Sequence, residues 1–239
     1  TLPLYQAGPQ NTTGQVSGVE VIQNRAESAA RRGAMVILDR AYSGFEFARL
    51  IDSSSLDEIM HKSFERQLKP FLDTGVQTIV AISPTKTFIT FAFRPCGFLL
   101  IYNPLTEQDN DITMALNATI RARGSSFEHP VTRAFAKAMI NDLAGLEAEQ
   151  TGALHRLAEA EKLWRTFVKN TPLEKIFSDQ YAGLFRNPKA KENAAESIYG
   201  SHLYPVFSDG RCRLNATGLP SDEERAKKHI EVFTQFCFE

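Results

Sequence analysis

Between Val76 and Phe167 the apolar residues change their spacing from two to about three and a half, which commits the chain to a mixed architecture. Val76–Ile82, Thr87–Phe93 and Phe98–Tyr102 alternate or run apolar as strands do, separated only by Ser83-Pro84 and by Arg94-Pro-Cys-Gly97. Links this short cannot return a chain for parallel pairing, so they predict an antiparallel meander. Further on, Met139, Leu143, Leu146, Gln150, Ala153, Leu157, Ala160, Trp164 and Phe167 recur with 4-3-4-3 spacing. That seam predicts one long helix near 130–169, with a helical pair broken near Thr151-Gly152 as the alternative.

The remaining elements follow from local signals. Residues 1–17 read as an extended arm. A helix over about 19–32 places Val21, Ile22, Ala26, Ala29 and Ala30 on one face, and Gly33 stops it. Ala34-Met-Val-Ile-Leu38 is a nearly all-apolar strand ending at Asp39. Ser55-Leu-Asp-Glu58 is a capping box for a helix carrying Ile59, Met60, Phe64, Leu68 and Leu72. Prolines and glycines punctuate 171–220, a loop-rich segment suited to a binding rim. Ser221-Asp-Glu-Glu224 opens a last helix with Ala226, Ile230, Phe233 and Phe236 inward. The expected fold is therefore α+β: a single domain over 1–239, with a small antiparallel sheet (about 76–102, plus a strand near 34–39) against several helices.

Composition bounds the function. A net charge of -1 offers no handle for nucleic acid. No apolar run reaches the ~20 residues of a membrane-spanning helix. Three Asn-x-Thr triplets, at Asn11, Asn117 and Asn215, in a chain opening on Thr1, point to a secreted, soluble glycoprotein whose leader has been removed. In that oxidising setting the three cysteines divide into a Cys212–Cys237 disulfide and a free Cys96.

Familiar catalytic signatures are absent: no His-Glu-x-x-His, Gly-x-Ser-x-Gly, Walker loop, Gly-x-Gly-x-x-Gly or Cys-x-x-Cys occurs. No metal and no cofactor is expected. Asp39 and Arg40 stand where a buried strand ends, and Glu46 supplies a second carboxylate that could share acid and base roles. His129, in Glu128-His129-Pro130, is a further candidate at a helix start. These four define a secreted hydrolase-type enzyme acting on an unknown small molecule, glycan or protein. One alternative is a non-catalytic secreted protein that binds a host or cell-surface partner. A second is a toxin or effector domain in which Cys96 is a thiol nucleophile served by His202 and Asp209.

Overall fold

The computed structural model describes residues 2–88, 97–104, 109–122 and 130–239. They divide into two units, one from Thr1–Ala7, Val19–Ala41 and Phe64–Gln150, the other from Gly8–Gly18, Tyr42–Ser63 and Thr151–Glu239. The class is α+β, with helices set against small sheets.

The first unit is built on a four-stranded sheet. β1 (Leu4–Gln6) leads into α1 (Val19–Arg31), which turns Ile22, Ala26 and Ala29 into the core. Gly33 takes a left-handed φ of 55°, and the Ala34 amide closes on the Ala29 carbonyl at 3.0 Å, as a glycine stop requires. β2 (Val36–Asp39) follows, buries Val36 and Leu38 completely, and pairs parallel with β1. The arm expected at 1–17 thus contributes a sheet strand.

The last turn of α2 (Leu56–Gln67) and α3 (Lys69–Asp73) then lead to β3 (Thr78–Ile82), parallel to β2, with Asp39 opposite Ala81. A short helix, α4 (Pro84–Thr87), comes next, and β4 (Phe98–Tyr102) pairs antiparallel with β3. The outer strands of the expected meander therefore bond directly to each other. Its middle strand does not lie between them: Thr87 closes α4, and 89–96 fall outside the described residues. Proline at the first position of α4 turns the expected Ser83-Pro84 link into a helix start, because it presets a helical φ.

α5 (Asp109–Ala122) and α6 (Pro130–Asn141) follow, then α7 (Leu143–Phe167). The long helix expected at 130–169 is two helices, broken at Asp142 and continuous through Thr151-Gly152. Asp142 Oδ1 accepts the Gly145 amide at 3.1 Å, so a cap restarts the helix where the apolar spacing shows no interruption.

The second unit packs around Trp164, whose indole N–H donates to the Ala216 carbonyl at 3.0 Å and whose ring stacks on Phe177 at 4.7 Å. Its sheet joins β5 (Phe185–Arg186), β6 (Lys189–Ala190), β7 (Val206–Ser208), β8 (Arg211–Asn215) and β9 (Cys237–Phe238). α8 (Ala194–Gly200) and α9 (Glu223–Phe236) complete the unit, and Asp222 rather than Ser221 caps α9 by accepting the Arg225 amide at 2.8 Å.

Two charges lie wholly inside this unit. Arg186 is 0% exposed and Glu161 1%. Arg186 Nη2 donates to Glu161 Oε1 at 2.8 Å, its Nε to the Ile176 carbonyl at 2.7 Å, and its Nη1 lies within 3.0 Å of the Ala182, Gly183 and Phe185 carbonyls. Burial pushes the Arg186 pKa below its ordinary value, and Glu161 pulls it back up. Arg49 Nε donates to the other Glu161 oxygen at 2.7 Å. Hydrogen bonding from Arg165, then the charges of Arg165 and Arg49, hold the Asp179 carboxyl below its ordinary value.

The disulfide expected between Cys212 and Cys237 is not formed. Both are free, buried thiols, in side-chain contact with each other. The hydrogen bond to Cys237, then burial, push the Cys212 thiol upward. β6 lies between their strands in the sheet order.

Replacing Arg186 by Met leaves Glu161 buried without this partner and strips the ligand from four carbonyls. Arg186→Met should destabilise the protein by about 3–5 kcal/mol, read from urea-induced unfolding.

Candidate functional site

Two clusters of functional side chains stand out, one in each unit. The first lies where two parallel strands end. Asp39 closes β2, half-buried, with Oδ1 accepting the Ala41 amide at 3.0 Å. Next to it, the Arg40 amide donates to the Ala81 carbonyl at 2.8 Å, tying the exit of β2 to β3. One residue beyond β3, the chain turns into α4, which carries Lys86 one helical turn from the strand end. Carboxyl ends of adjacent parallel strands are where open α/β sheets place ligands, because the following loops diverge there. Of the eleven lysines only Lys69 and Lys86 are withdrawn from full exposure. Lys69 is taken up by Asp73 at 3.1 Å and Glu65 at 3.8 Å on its own helical face. Lys86 is the lysine that a strand end holds half-buried.

The second cluster joins residues remote in sequence. Asn11 sits in the turn Gln10–Gly14, closed by the Gly14 amide on the Gln10 carbonyl at 2.9 Å. Gly14 has φ +73°, and a Cβ there would stand 2.6 Å from Arg186 Nη1 and 2.7 Å from the Ala182 carbonyl oxygen. Only glycine fits that position. The buried Tyr42 donates its hydroxyl to Asn11 Oδ1 at 2.6 Å. Arg213 Nη2 donates to the same oxygen at 2.9 Å and to the Asn11 carbonyl at 3.2 Å.

Arg213 reaches this place by strand alternation. On β8, Cys212 and Leu214 point into the core and Arg213 to the opposite face, over the Phe185 ring at 3.9 Å. Its Nε is buried without an acceptor among the described residues. A guanidinium held on an aromatic face, with one edge bonded and a buried N–H still unpaired, is a fork for a planar anion such as a carboxylate.

Other residues singled out in the sequence fall elsewhere. Glu46 lies in the first turn of a 3-10 helix (Phe45–Leu50) and accepts a hydrogen bond from Ser63 at 2.7 Å. His202 and Asp209 occupy separate left-handed turns, with φ of 60° and 51°, and Ser208 donates to Asp209 at 2.9 Å. Cys96 and His129 lie outside the described residues. Of the three triplets, Asn11 and Asn215 use their side-chain oxygens within the fold, Asn215 accepting Thr217 N at 3.1 Å; Asn117 lies in α5. Sequence reasoning passed over Lys86, Tyr42 and Arg213. The available cues were a lysine one turn after an apolar strand, and an arginine at the outward position of an alternating one.

Residues 3–171 match the family model for aminotransferase class I and II. The chain belongs to this family. Among solved structures it is similar to an aromatic-amino-acid aminotransferase from Burkholderia pseudomallei covalently bound to pyridoxal phosphate, at 18% identity and a TM-score of 0.72 over 98% of this chain and 55% of that one. A putative aspartate aminotransferase from Leishmania major Friedlin superposes at 17% identity and a TM-score of 0.73, covering 98% and 55%. A psychrophilic aromatic amino acids aminotransferase from Psychrobacter sp. B6 gives 22% and 0.68, covering 96% and 56%. This aminotransferase-family chain thus spans little more than half the length of those structures. No curated protein matches it.

Family membership overturns the expected hydrolase around Asp39, Arg40, Glu46 and His129. It equally overturns the host- or surface-interaction protein and the Cys96 effector. Nothing in the family or the fold supports secretion or glycosylation. Among the described residues, no helix is long and apolar enough to cross a membrane.

Gly14→Ala should lower stability by at least about 2 kcal/mol, because the turn that presents Asn11 needs both a left-handed residue and an absent Cβ. Thermal unfolding of the variant beside the parent checks this.

Proposed function

We propose that this chain carries out amino-group transfer between an amino acid and a keto acid with pyridoxal phosphate as cofactor. One observation carries the reading: Lys86 is held half-buried beyond β3, next in the sheet to the strand that ends in Asp39. The donor set fits the group, since a primary amine suits its aldehyde and a carboxylate suits its ring nitrogen. Ser83 and Thr85, flanking the turn into α4, add hydroxyls suited to a phosphate. When bound, pyridoxal phosphate supplies a carbonyl that condenses with amines and a ring that stores the electrons released at the substrate carbon.

The chain's own residues supply the remainder. Lys86 Nζ offers the amine and, once free, a base of the right reach to carry a proton at the substrate carbon. Asp39 sets a carboxyl group at the strand end, a hydrogen-bonding partner suited to the ring nitrogen. Within the second unit, Arg213 offers an unpaired Nε and a guanidinium edge, held in place by Asn11, that suit a carboxylate. Tyr42 fixes Asn11 from the other side through its 2.6 Å bond.

Borohydride reduction of the pyridoxal phosphate-loaded protein should leave a stable pyridoxyl adduct on the peptide containing Lys86, read by mass spectrometry. Lys86→Ala should lose that adduct and lower amino transfer by roughly 10²–10⁴-fold. Arg213→Lys should raise KM for the amino acid by about 10- to 100-fold, because an ammonium cannot reproduce the fork. An adduct retained in Lys86→Ala sinks the assignment.

A further inference from the structure

Glu46 has no place in amino-group transfer, yet it is tied into the residues beside Tyr42. Its Oε1 accepts a 2.7 Å bond from Ser63 Oγ, and the same Ser63 hydroxyl accepts the Gly44 amide at 3.2 Å. Ser63 is 0% exposed. One buried hydroxyl thus clamps two residues of a single turn, and Tyr42 begins that turn. Within it the Phe45 amide bonds the Tyr42 carbonyl at 3.2 Å and the Phe47 amide bonds the Gly44 carbonyl at 3.0 Å. Gly44 is left-handed at φ +86°, and a Cβ there would stand 2.9 Å from Met60 Sδ on α2, so the turn has no room to drift toward that helix.

Glu46 also borders the other partner. Its second carboxylate oxygen lies 3.8 Å from where a Cβ of Gly8 would be, and that same point is 3.3 Å from the Tyr42 carbonyl oxygen. Gly8 opens the segment that carries Asn11. Ser63 therefore holds the turn that follows Tyr42, and Glu46 joins that turn to the border of the segment that carries Asn11. A bond of 2.6 Å between two anchored segments tolerates little displacement of either.

We propose that Ser63 and Glu46 are positioning residues that hold the Tyr42 hydroxyl on Asn11 and, through Asn11, set the Arg213 guanidinium for its carboxylate. Neither belongs to the residues proposed to hold substrate or cofactor. The consequence for catalysis rests on the amino-transfer reading above; the consequence for the Tyr42 hydroxyl does not.

The test uses the pyridoxal phosphate-loaded protein with tyrosine labelled by ¹³C at Cζ, the Tyr42 resonance being assigned by its loss in Tyr42→Phe. Ser63→Ala should displace the Tyr42 resonance and raise KM for the amino acid about fivefold, with kcat within about twofold. Glu46→Gln should act in the same direction and covers the case in which Ser63→Ala does not fold. In a Tyr42→Phe background Ser63→Ala should add no further rise in KM, since the hydroxyl it places is gone; a general loosening of the fold would add in full. An unmoved Tyr42 resonance in both variants, or fully additive KM changes, overturns the proposal. A displaced resonance in a protein whose parent transfers no amino group supports the positioning role and rejects the proposed function.

Discussion

The Arg186–Glu161 pair is the interaction on which the second unit depends. A guanidinium and a carboxylate with no exposure are costly to bury, and the cost is met only where every donor finds an acceptor. Arg186 achieves this by gathering the carbonyls of Ile176, Ala182, Gly183 and Phe185 around one head group. The backbone of 176–186 has no regular helix or long strand to satisfy those oxygens, so the arginine acts as its hydrogen-bond partner.

The candidate site inherits its shape from that arrangement. Gly14 lies so close to Arg186 Nη1 and the Ala182 carbonyl that no side chain fits, and the Ala182 amide bonds back to the Gly14 carbonyl at 2.8 Å. The turn that presents Asn11 is therefore moulded against the arginine. Phe185, whose carbonyl the same arginine holds, turns its ring beneath Arg213. Asn11 and Arg213 thus rest on two surfaces fixed by one buried cation, which makes a structural charge a determinant of where a second, functional charge points.

Much of the local structure was legible because it follows from nearest-neighbour chemistry. Gly33 stops α1, the Ser55–Glu58 box caps α2 with reciprocal bonds of 2.9 and 3.2 Å, and β2 buries Val36 and Leu38. Asp39 was found because a strand end is visible in an apolar run. The failures share a cause. Asp142 interrupts the helix through its own side chain while the apolar spacing runs on unchanged, and Pro84 starts a short helix where a turn between strands was expected. The cysteines were paired by their place in the chain, whereas the sheet inserts β6 between them. Asn11 was read as a glycan acceptor because its triplet is local, while its partners Tyr42 and Arg213 lie 31 and 202 residues away.

The sequence by itself determined the α+β class, most helix limits, the buried strand ending in Asp39 and the absence of familiar motifs, since each depends on spacings within a few turns of the chain. Tertiary structure alone decided that β1, β2 and β3 run parallel, that Lys86 and Asp39 leave neighbouring strands, and that Arg213 meets Asn11. Strand order and register are set by which apolar faces and backbone groups can be satisfied together. That is a property of the whole packed chain, and no window of residues contains it.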